Sequence, residues 1–141
     1  MKIVTSTFLL VFLVFGFNAS VLSDAEKRLF VNLTTDDIDR AAMAVGISSK
    51  VLSTQKIPVT IYLNAQGVRW ADKTIPQNRY ANGKTIPEML QSFIQSGGEV
   101  IICGMCMQNV GGMKEDEVIK GINFTGALSA LFADNTVVLS Y

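Results

Sequence analysis

The sequence predicts an α/β fold, a three-layer sandwich in which a mostly parallel sheet is flanked by helices. Three observations carry this. Short apolar runs with β-type composition recur along the chain: "RLFVNL", "IPVTIYLN", "EVIIC" and "NTVVLSY". Amphipathic segments with cap residues at their ends separate them. Several of the runs are apolar at successive positions, as in strands covered on both faces. Alternation of this kind belongs to a parallel sheet with helices on its two sides.

"RLFVNL", Arg28–Leu33, is the first strand. The next stretch, "TTDDIDRAAMAVGISSKVL", reads as a helix. Thr34, Thr35 and Asp36 are cap-type residues, and Asp37 and Asp39 fall in the first turn, where carboxylates suit the helix dipole. Ile38, Ala41, Ala42, Val45 and Leu52 share one face. "IPVTIYLN", Ile57–Asn64, is the second strand, with Pro58 at its start, where a missing N–H is tolerated.

Residues 64–84 are polar, rich in turn formers and non-periodic. The expectation is a long, functional loop at the end of the second strand. Trp70 and Tyr80 either cover a pocket in it or plug the edge of the core. "TIPEMLQSFIQSGG" is the best-signalled helix: Thr85 as N-cap, Pro87 in the first turn, Glu88 closing a capping box, and Gly97 and Gly98 ending it. Leu90, Phe93 and Ile94 form its buried face. "EVIIC" is the third strand, "KEDEVIKGINF" a short acidic helix, "GALSALFA" another helix, and "NTVVLSY" the last strand.

The chain holds two cysteines, Cys103 and Cys106, and no histidine. In a doubly wound sheet, chemistry gathers at the carboxyl ends of the strands. Cys103 stands at such an end, after "EVII". Gly104 lets the backbone turn, and "MCMQNV" begins a helical turn ending at Gly111 and Gly112. Backbone N–H groups at such a start favour a thiolate on Cys103. The opposing reading is an inert buried cysteine, since free Cys is often buried. No metal is expected, because two thiols without imidazole fall short of the four N/S ligands of a structural zinc site. A Cys–His nucleophile pair is excluded in the same way. A dithiol of thioredoxin type stays open, although "CGMC" precedes a glycine-ended turn late in the chain rather than a long early helix.

The N-terminus carries a second signal. Lys2 precedes the apolar "FLLVFLVFGF", Phe8–Phe17, and then comes "NASVLSDAEKR", small and then charged. That is the order of a secretory leader, too short to span a membrane as a helix. The expected division is a signal peptide over residues 1–23 and one domain over 24–141, with a periplasmic or secreted location and no stable membrane span after cleavage. Removing the leader leaves one acidic residue in excess. No basic block is present, so nucleic acid is not an expected partner. In an oxidising compartment the two cysteines can pair, but a loop this small staples nothing distant.

The stretch "VIICGMCMQNVGGMKEDEVIKGINFTGALSALFADNTVVLSY" resembles the C-terminal half of the DsrE/DsrF-like family, which includes sulfur-relay proteins of the TusD type. An apolar strand leads to a cysteine, a glycine, an acidic "EDE" segment, a small helix and a final strand ending in an aromatic residue. The opening strand–helix–strand and the "TIPEMLQSFIQSGGEV" helix fit as well, so the resemblance covers most of residues 27–141. It implies that Cys103 matches the persulfide-carrying position and Gly111 the glycine that follows it. It also implies homo-oligomers, trimers or hexamers, and a sulfur-donor or sulfur-acceptor protein as partner. Cys106 has no counterpart in the relay protein, which works in the cytoplasm.

The leading expectation is an exported DsrE-like domain whose Cys103 carries a persulfide or pairs reversibly with Cys106, with no cofactor. The alternatives are a non-enzymatic oligomeric module that binds a small ligand under residues 64–84 or a protein, and a small dithiol oxidoreductase.

Overall fold

Four strands pair side by side in the order β3–β2–β1–β4, all parallel. They are β1 (Arg28–Leu33), β2 (Val59–Leu63), β3 (Glu99–Ile102) and β4 (Thr136–Ser140). The structure is a computed structural model and describes residues 26–141; the expected leader, residues 1–23, lies outside them. Central β1 is buried at four of its six positions, and Val31 stands level with Ile61 of β2 and Leu139 of β4. The sheet is the α/β arrangement expected, with helices on both faces, unequally distributed.

The chain steps from β1 to β2 to β3 in one direction across the sheet. Right-handed crossovers therefore place α1 (Ile38–Gln55) and α2 (Ile86–Gln95) on one face. There Leu29, Val31, Leu33, Ile61, Leu63, Val100 and Ile102 meet the two helices in the main core. The chain then returns from β3 to β4 past the starting strand, which brings α4 (Ala127–Leu131) to the opposite face. That second layer is thin. Phe30 and Ile101 are buried under it, and Phe30 meets Tyr62 at a ring-centroid distance of 5.9 Å.

α1 lies close to the sheet because its inner face is small: Ala41, Ala42, Ala44, Val45 and Ser48 are buried. Ser48 resolves its burial locally by donating to the Ala44 carbonyl at 2.7 Å. Its N-cap is Asp37, whose carboxylate accepts from the Arg40 N–H at 2.9 Å, and not Thr34, Thr35 or Asp36 as expected. The three are engaged elsewhere: Thr34 donates its hydroxyl and its N–H to the Tyr141 carbonyl, the Thr35 hydroxyl accepts from the Asp37 N–H, and Asp36 pairs with Arg69. α2 matches its capping signals, while its buried face is Ile86, Leu90 and Phe93, with the expected Ile94 only partly buried. Thr85 accepts from the Glu88 N–H, Glu88 accepts from the Thr85 N–H, and Gly97 adopts a positive φ of 93° just past the end. Ile86, Leu90 and Phe93 are each essentially fully buried, worth ~1.5–3 kcal/mol apiece by transfer.

Two expectations need correction. Residues 64–84 are not one open loop. Ala65–Ala71 form a 3-10 helix whose Gly67, Val68, Trp70 and Ala71 are buried. Trp70 is a plug at the core edge rather than a pocket lid, and its indole N–H donates to the Thr35 carbonyl at 2.8 Å. Residues 114–124 do not form a helix either; only Glu115–Glu117 make a 3-10 turn. Val118, Ile119 and Ile122 beyond it are buried. Backbone bonds to the segment after Trp70, Ile119 N–H to Ala71 O and Lys73 N–H to Glu117 O, hold the chain extended there. Among the described residues, no helix is long and apolar enough to cross a membrane.

Candidate functional site

Cys103 follows β3 directly and keeps one more ladder bond, from its N–H to the Leu63 carbonyl at 2.9 Å. The backbone then turns into α3, Gly104–Cys106, which widens into a single π turn over Met107–Gly111. Such wide turns often occur at functional sites. Cys103 is the N-cap of this helical run. Its carbonyl accepts from the Met107 N–H at 2.8 Å, and its Sγ accepts from the Cys106 N–H at 3.2 Å. The expected helical turn after Cys103 is present, from Gly104 to Gly111.

The turn is anchored from below. Met107 is buried in the main core. Gly111 lies against Val68 of the 65–71 segment; a Cβ on it would stand 2.6 Å from Met113 Cε and 3.2 Å from Val68 Cγ2. The closest of these atoms is the tip of a flexible side chain, so a larger residue here would require Met113 to move rather than the backbone. Gly104 is different. Its Cβ would meet nothing within 4 Å, and its φ is not positive, so the turn itself does not need a glycine there.

Cys103 and Cys106 are joined in a disulfide, with Cα atoms 5.2 Å apart, within the usual span for such a bond. The two sequence-predicted residues are therefore brought together. Both are half-buried, but in different surroundings. Cys106 packs against the main core, whereas Cys103 lines a cleft of about 290 Å³. Met105, between them in sequence, is 72% exposed.

Tyr62, Ile101, Gly104, Phe124 and Leu128 form much of the cleft wall, and Thr125 and Ser129 add hydroxyls. None of its lining residues is charged. The cleft exists because Asn123 is pinned beside β3: its N–H donates to Val100 O at 2.8 Å, and its carbonyl accepts from the Ile102 N–H at 2.9 Å. From there the chain arches over the sheet end, using Gly126 at φ 95° to enter α4. Sequence reading missed Tyr62, Phe124 and Leu128. Tyr62 had a usable signal, as it lies near the carboxyl end of the second strand, where a doubly wound sheet collects its site.

One further surface borders the cleft. Leu128 on α4 and Phe132 at its end are 71% and 78% exposed, and Val138 on edge strand β4, level with Phe30 on the α4 side of the sheet, is 47% exposed. Scattered exposed apolar residues are ordinary, but apolar side chains on an edge strand and on the helix over the same sheet face suit contact with another protein surface.

A model of the DsrE/DsrF-like family matches residues 30–139. Two solved structures share the fold. The ychN protein from E. coli is 16% identical with a TM-score of 0.62, covering 82% of this chain and 99% of its own. A protein of unknown function from Methanobacterium thermoautotrophicum is 11% identical with a TM-score of 0.67, covering 82% of this chain and 100% of its own. No curated protein matches the chain. At these identities the likeness to the two structures is one of fold.

Proposed function

The chain belongs to the DsrE/DsrF-like family, and from that premise we propose that it handles sulfur through Cys103, as a persulfide or as a reversible disulfide with Cys106. The observation that carries this reading is the pair itself. Cys103 stands at the carboxyl end of β3, open to a cleft, with Cys106 within bonding reach behind it. In the reduced protein the Cys106 N–H is a ready donor to negative charge on Cys103 Sγ. A carrier needs such a thiolate, an open approach and a docking face, and little other machinery.

The apolar face on α4 and β4 supports a homo-oligomer, a trimer or hexamer as the family resemblance implies. Placement outside the cytoplasm rests on the basic–apolar–small pattern of residues 1–23. N-terminal sequencing of the protein from a periplasmic fraction would then start near Asp24 or Glu26. Intact Met1 in soluble cytosol would overturn that part.

Incubation of the reduced protein with an organic hydropersulfide, followed by mass spectrometry, tests the reading. A single sulfur atom retained on Cys103 supports the carrier. Conversion to the Cys103–Cys106 disulfide, with no sulfur retained on Cys103 even in Cys106→Ser, indicates a dithiol oxidoreductase. No reaction at either cysteine leaves a binding module.

A further inference from the structure

Both cysteines are in the bonded state, and among the described residues none is free. A thiol that accepts sulfur must be a thiolate attacking a sulfane donor. A disulfide has the opposite reactivity: it is an electrophile, and it reacts with a sulfur nucleophile. The protein in this state therefore cannot take sulfur from a persulfide in the usual direction, but it can take it from sulfide.

We infer that the oxidised Cys103–Cys106 pair is an acceptor for inorganic sulfide, which enters through the uncharged cleft and is fixed as a persulfide on Cys103. This rests on the reading of Cys103 as the sulfur-carrying residue and names its donor. Access decides which sulfur is attacked. Cys103 lines the cleft and Cys106 does not, being packed instead against the core beside buried Met107. A nucleophile arriving through the cleft therefore reaches Cys103 first, and Cys106 is the leaving group.

The step balances without another reagent. A lone pair of hydrosulfide forms the new S–S bond to Cys103 Sγ. The old Cys103–Cys106 bond breaks, and its electron pair leaves with Cys106 as a thiolate. The sulfide sulfur is oxidised, the Cys106 sulfur is reduced, and the proton of hydrosulfide stays on the outer sulfur of Cys103–S–SH.

The lining of the cleft fits this donor. Its walls are Tyr62, Ile101, Phe124 and Leu128 with two hydroxyls, and no cationic side chain is among them. A polyanionic donor such as thiosulfate would lose hydration there and gain no ion pair. Sulfide is small and partly present as neutral hydrogen sulfide near neutral pH, so it enters at little desolvation cost, and the proton it sheds to become hydrosulfide is taken up by the Cys106 thiolate as that leaves.

The test uses the full chain, oxidised, under anaerobic conditions with sodium sulfide, then alkylation and peptide mass mapping. The expected result is one extra sulfur atom on Cys103 together with one newly alkylated thiol at Cys106. Reduced wild-type protein, which has no S–S bond to accept electrons, should take up at least about tenfold less sulfur from sulfide. Cys106→Ser should behave the same way toward sulfide, yet still load Cys103 from an organic hydropersulfide. Several results would overturn the inference: sulfur retained on Cys106, simple reduction to two thiols with no retained sulfur, or equal uptake by the reduced protein. If sulfide fails while the hydropersulfide still loads reduced Cys103, only the donor assignment falls. If neither loads Cys103, the carrier reading falls with it.

Discussion

The backbone N–H of Cys106 donates to Cys103 Sγ over 3.2 Å, so one residue offers Cys103 both a partner sulfur and a hydrogen bond. The two roles belong to different redox states. In the disulfide the N–H only orients the turn, while after reduction it faces a thiolate. A substitution at Cys106 therefore removes the resolving sulfur and keeps the backbone donor.

That separation sets the expected labelling pattern. With the protein reduced, Cys103→Ser should abolish alkylation by limiting iodoacetamide at neutral pH, because Cys103 alone lines the cleft. Cys106→Ser should leave Cys103 alkylatable and lengthen the lifetime of a persulfide on it, since no neighbouring thiol remains to attack. Labelling of Cys106 first in the reduced wild type would reverse the roles.

Two glycines near the site should respond in opposite ways. A Cβ on Gly67 would stand 2.1 Å from the Leu33 carbonyl oxygen, a backbone atom that cannot swing aside. Gly67→Ala should cost at least ~2 kcal/mol in denaturant unfolding and loosen the 65–71 segment. Gly104→Leu meets nothing on its first carbon and should leave stability unchanged within ~0.5 kcal/mol. Because Gly104 lines the cleft, the leucine should still slow alkylation of Cys103. Unchanged labelling of a stable Gly104→Leu protein would mean the cleft is not the route to the thiol.

The capping box of α2 predicts an acid-sensitive contribution to stability. The Thr85 N–H, donating to Glu88, holds that carboxyl below its ordinary value, with the Arg79 guanidinium adding a smaller effect. A carboxyl lowered in the folded state stabilises fully above its unfolded pKa. That stabilisation is lost as pH falls through the lower folded value. Glu88→Gln should therefore flatten the pH dependence of unfolding in the acid range while leaving the helix in place. Thr85→Ala should cost ~1 kcal/mol at neutral pH by removing the other half of the box.

The apolar face bordering the cleft predicts association. Light scattering at micromolar concentration should give a mass above the monomer, and Leu128→Lys with Phe132→Lys should bring it down to the monomer. Both side chains are more than two-thirds exposed in the single chain, so the double variant should remain folded by circular dichroism. A wild-type monomer would count against assembly through this face.

Much of this architecture was legible one segment at a time. Strand and helix order follow from short-range patterns: the apolar runs, the Thr85–Glu88 box, and Gly97 at the end of α2. Such signals need only neighbours within a turn, and they placed Cys103 at a strand end, three residues before its partner. The 65–71 segment and the 114–124 stretch were decided by contacts with no local signature. Gly67 sits on the Leu33 carbonyl, Trp70 reaches Thr35, and Ile119 bonds to Ala71. In both places, backbone partners from distant parts of the chain override composition that reads as loop or helix. The cleft has the same origin. Tyr62, Cys103, Phe124 and Leu128 lie far apart in the sequence, and they converge only because Asn123 pairs with the open side of β3. The residue types were determined locally; their meeting was decided by nonlocal pairing of the backbone.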